Sequence, residues 1–66
     1  MGEEELWAAF LASGRTFLRY PEEATLRTLL GRYSLWHVAH HGSEDGLEAE
    51  LAKIEAQCRN IMAGLP

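Results

Sequence analysis

The sequence predicts an all-α protein built as a small three-helix bundle, and three observations carry that expectation. Apolar residues recur at three- and four-residue spacing along three segments, the rhythm of a helix with one buried stripe. The breaks between segments fall at Tyr20-Pro21 and at Gly42 to Gly46, where proline and glycine interrupt helices. No stretch alternates apolar and polar residues with the period of a strand. A chain of 66 residues makes one domain, so residues 1–66 are read as a single unit with helices over about 3–19, 21–41 and 46–63.

The first helix opens with Glu3, Glu4 and Glu5, whose charges suit the positive end of the helix dipole, and carries Arg15 and Arg19 toward its other end. Leu6, Trp7, Phe10, Leu11, Gly14, Phe17 and Leu18 share one broad arc; Ala8, Ala12, Arg15, Thr16 and Arg19 lie opposite. Gly14, in the middle of the apolar arc, predicts the close approach of a neighbouring helix.

Proline pushes the residue before it out of the helical region and is itself favoured at a first helical position, so Pro21 is expected to start the second helix. Its main stripe is Leu26, Leu29, Leu30, Tyr33, Trp36 and His37. Its back is also poor in charge, because Ala24, Thr28, Gly31, Leu35 and Val38 form a second seam spaced 4, 3, 4 and 3. A helix apolar on two sides is buried on two sides. Either the other two helices sandwich it, or the second seam faces another molecule.

Gly42 is placed to end this helix in a left-handed conformation. Asp45 followed by Glu48 resembles a capping box for the third helix, with Ser43 as the competing cap. Leu47, Leu51, Ile54, Cys58, Ile61 and Leu65 then repeat at 4, 3, 4, 3 and 4, which predicts packing at coiled-coil-like angles. Glu55 precedes Arg59 by one turn, in the favourable order for an ion pair.

Composition limits the chemistry. One cysteine allows no intrachain disulfide and suits a reducing cytoplasm. A small domain without a disulfide is marginal alone, so a dimer or a partner complex is expected. The acidic start does not read as a secretory signal, and no apolar run approaches the length of a membrane span. A formal charge of −4 disfavours nucleic acid and anionic membranes as partners. A DNA-reading helix-turn-helix is disfavoured further, since residues 42–66 hold five acids against two bases.

His37, His40 and His41 are the one cluster that suggests a site. His37 and His41 stand one turn apart, a spacing that chelates zinc, nickel or haem iron, with Glu44, Asp45 or Cys58 as further donors. Two histidines without a third ligand are weakly specific, and a histidine in an apolar stripe is more commonly a core residue with a hydrogen-bond partner. Cys58 sits in the third helix's seam, where a thiol acts as a small hydrophobe. No serine stands in a nucleophile elbow and no glycine loop suits a phosphate, so no enzymatic activity and no cofactor are expected.

What remains is apolar and aromatic surface. The expected function is that of a small cytoplasmic protein-binding module, an adaptor, chaperone, inhibitor or regulatory subunit, the expected contacts being Leu35, Val38, Trp36, Trp7 and Gly31. A metal- or haem-binding protein using His37 and His41 is one alternative; an acidic DNA mimic is another.

Overall fold

The computed structural model describes residues 2–64, and the expectation for Leu65 lies outside them. Three helices follow one another: α1 (Glu3–Arg19), α2 (Glu23–His41) and α3 (Leu47–Ala63). Two contacts between distant residues fix their directions. Glu3, at the start of α1, meets His40, at the end of α2; Arg59, near the end of α3, meets Glu23, at the start of α2. Both outer helices therefore run antiparallel to α2 and parallel to each other.

The corner between α1 and α2 differs from the expected start at Pro21. Tyr20 ends α1, its N–H reaching the Thr16 carbonyl, and Glu22 takes the N-cap position in an extended conformation. Thr25 holds the corner: its hydroxyl accepts from the Glu22 N–H at 3.2 Å and donates back to the Tyr20 carbonyl at 2.5 Å. Proline offers no N–H to this network, so the helix begins where donors can be satisfied. Thr25→Ala is expected to cost about 1 kcal/mol, as for loss of a helix cap, measured as a lower urea midpoint with an unchanged slope.

Gly42 ends α2 in the left-handed region as expected, φ being 72°, with its N–H on the Val38 carbonyl at 2.8 Å. The start of α3 differs. Gly46, not Ser43 or Asp45, occupies the N-cap at φ 79°, without a side-chain cap. Ser43 instead braces the loop, accepting the Asp45 N–H at 3.3 Å.

The core is small. Phe17, Leu26, Leu29 and Cys58 are buried together, with Phe10, Leu30, Ile54 and Met62 packed around them. Tyr33 and His37 continue the buried face of α2. Ser13 is also buried, and its hydroxyl is satisfied by the Ala9 carbonyl at 2.7 Å. Gly14 stands against Leu29, yet a Cβ built there would meet Leu29 Cδ1 at an ordinary 3.5 Å. The expected close approach is thus not one that demands glycine.

The three helices form an open wedge. The Cα atoms of α1 and α3 nowhere come within 8 Å of each other, and the molecule measures 40 × 22 × 13 Å. Three helices closed into a triangle, with axes roughly 10 Å apart, would span on the order of 15 Å in both short directions. Here α2 is the apex and both neighbours lean on its Leu26–Leu29–Tyr33–His37 face. Of the two arrangements open to a two-faced middle helix, sandwiching does not occur: Ala24, Thr28, Gly31, Leu35 and Val38 are all exposed.

Candidate interaction surfaces

The histidine end is built from aromatic contacts. Trp7 and Phe10 of α1 meet Trp36 and Tyr33 of α2, with ring centroids 4.6 and 5.3 Å apart respectively. His40 stacks on Trp36 at 4.7 Å, nearly parallel, and its Nδ1 lies 2.6 Å from Glu3 Oε1. This joins the start of α1 to the end of α2.

His37 is 3% exposed, and its Nε2 lies 2.9 Å from the Asp45 backbone carbonyl. A carbonyl only accepts, so Nε2 carries the proton. Nδ1 is buried and without a hydrogen-bond partner among the described residues. His41 is exposed and stands 4.3 Å from His37, ring to ring. The spacing that suggested chelation does bring the two rings together. However, the Nε2 of His37 is committed to the loop, and the described residues place no three His, Cys, Asp or Glu side chains where they could hold a metal ion. Cys58 belongs to the hydrophobic core, and burial pushes its thiol above the ordinary value. It is neither a neighbour of the histidines nor an activated nucleophile.

Arg59 makes the expected pair with Glu55, Nε to Oε2 at 2.8 Å, and also reaches Glu23 at 2.7 Å. The Arg59 hydrogen bond, and then its charge, hold the Glu23 carboxyl below its ordinary value. The partners are solvent-exposed, so this clasp orients α3 on α2 more than it stabilises the fold.

Two apolar surfaces remain uncovered. One is the back of α2, where Leu35 is 56% and Val38 39% exposed beside Gly31. Of the aromatic contacts expected, Trp36 is half-buried, while Trp7 is 39% exposed at the molecule's edge, facing a shallow hollow with Glu3 and Glu4. The other surface is the groove between α1 and α3, about 390 Å³ in volume, with Phe17, Leu29 and Cys58 along its base. Leu11, Leu18 and Ile61 form its rims and are 42%, 65% and 40% exposed.

The groove was not expected, because Leu11 and Leu18 share the apolar arc of the first helix with Phe10 and Phe17. The signal was the width of that helix's apolar arc: seven residues are more than one neighbouring helix covers. Only α2 packs closely on α1, so the far edge of the arc faces out. No helix among the described residues is long and apolar enough to cross a membrane. Comparison with models of protein families, with curated proteins and with solved structures finds no match to this chain.

Proposed function

We propose that this chain is a non-catalytic protein-binding module of the cytoplasm, acting as an adaptor, chaperone, inhibitor or regulatory subunit. The observation that carries the reading is the back of α2. Leu35 and Val38 project from a face whose other members, Ala24, Thr28 and Gly31, are small and uncharged. Nothing in the fold needs large aliphatic side chains there, since the buried face of α2 points the other way. Small residues beside aliphatic knobs let another helix approach closely, and desolvating Leu35 and Val38 supplies the driving force. Trp7 and Trp36 offer aromatic anchors on an adjoining edge, the side-chain type that dominates binding hot spots. A lone buried thiol suits a reducing compartment.

Leu35→Glu with Val38→Glu tests the reading, since both positions are exposed and tolerate charge without disturbing the core. The parent chain, immobilised in native lysate, is expected to retain proteins that the double variant loses, with both showing the same helical circular dichroism. Retention of the same proteins by the double variant would show that the seam is not the binding face.

A further inference from the structure

We propose that the groove between α1 and α3 is filled by a second copy of this chain, whose own α1 lies antiparallel within it, making a reciprocal two-fold dimer. The inference rests on the protein-binding reading and assigns an occupant to the second of the two uncovered faces.

Area is the first argument. A folded monomer of 7.4 kDa is expected to expose about 4,200 Å². This chain exposes 4610 Å². The excess of about 400 Å² fits a fold left open along one groove, and it is about half of the roughly 800 Å² that each partner buries in a standard interface. The groove supplies the apolar part of such an interface, with Leu11, Leu18 and Ile61 on its rims and Arg15 as its one charged lining residue. Gly14 also lines it, in van der Waals reach of Leu29.

Self-complementarity is the second argument. At 3.6 residues per turn, Glu4, Leu11, Arg15 and Leu18 fall within an arc of about 60° on α1. The ridge that would enter a neighbour's groove is thus the same ridge that borders the groove, as an isologous contact requires.

Charge decides the direction. The starts of α1 and α3 both lie at the end of the wedge where α2 finishes, as the Glu3–His40 and His37–Asp45 contacts show. That end carries Glu3, Glu4, Glu5, Glu48 and Glu50 in the first turns of the two helices. Arg15 and Arg19 lie toward the other end of α1. An antiparallel second α1 brings its Arg15 toward this acidic end, where Glu4 stands on the same ridge as Leu11, and sets its dipole against those of both groove helices. A parallel copy would stack acid on acid. For a chain of net charge −4, this segregation is what lets like molecules associate.

Sedimentation equilibrium of the parent at tens of micromolar is expected to give about twice the 7.4 kDa chain mass. Leu18→Glu, at a position 65% exposed, should keep the helical spectrum and weaken the dimer by on the order of tenfold or more. Two charge-reversed variants fix the geometry: Glu4→Lys, and Arg15→Glu. Each alone should dimerise less than the parent, and an equal mixture should recover the dimer as a heterodimer, because antiparallel pairing then sets the introduced lysine against the introduced glutamate at one end and the native Arg15 against the native Glu4 at the other. A parent that stays at 7.4 kDa overturns the proposal while leaving the α2 seam untouched. So does a dimer that survives Leu18→Glu but is dissociated by Leu35→Glu with Val38→Glu, or a mixture no more associated than its components.

Discussion

Phe17→Ala should remove a large share of the chain's stability. Phe17 is 2% exposed and forms the core with Leu26, Leu29 and Cys58. Truncating a buried phenylalanine costs about 3–5 kcal/mol, part from lost transfer energy and part from the cavity. A domain of 66 residues has roughly 3–10 kcal/mol to lose, at about 0.05–0.15 kcal/mol per residue. Few neighbours can collapse into the space, because the groove side of Phe17 has no second layer behind it. Leu18→Ala, next in sequence but 65% exposed, should shift the unfolding midpoint of the isolated fold by little. The pair is measured by urea unfolding followed by circular dichroism at one fixed protein concentration, since association would make the midpoint depend on concentration. A Phe17→Ala chain with the parent's midpoint would contradict the burial of Phe17 in the core.

The neighbouring fates of Phe17 and Leu18 show where sequence reasoning holds and where it stops. Helical periodicity places both on one arc, and it found all three helices because that periodicity is a local property of the chain. Which edge of the arc is covered depends on how many helices lie against it, a tertiary fact with no local trace. The same limit explains Arg59. Its pair with Glu55 is one turn away and readable; its pair with Glu23 joins residues 36 positions apart and needs the fold. The seam of α2 was legible as a surplus of apolar residues in a chain with too few helices to bury them. The corner at Thr25 and the N-cap at Gly46 were not, because caps are decided by which donors the loop has already satisfied. His37 is the sharpest case. Its place in the apolar stripe pointed to burial, yet only the fold could show that its hydrogen-bond partner is a backbone carbonyl eight residues on.

His37→Ala is expected to cost about 2–4 kcal/mol and to free the start of α3. The ring is buried against Tyr33 and His41, and its N–H holds the Asp45 carbonyl at 2.9 Å. Alanine removes both the packing and the bond. His37→Phe separates the two. Phenylalanine refills the space and removes the buried Nδ1, a polar atom without a partner among the described residues whose presence costs about 1–3 kcal/mol. It also releases Asp45, whose carbonyl loses its only donor from α2. These effects oppose each other, so the phenylalanine variant should lie much nearer the parent in stability than the alanine variant does. Its local consequence is not offset. The loop from Gly42 to Gly46 has two left-handed glycines and no side-chain cap on α3, so the His37 bond is its main tie to α2. Amide hydrogen exchange over residues 44–50 should therefore quicken in His37→Phe while exchange in α1 and the middle of α2 stays at the parent's rate. Equal exchange at the start of α3 in both proteins would mean that the histidine serves only as packing, and that the α3 wall of the groove is positioned by Arg59 and the core alone.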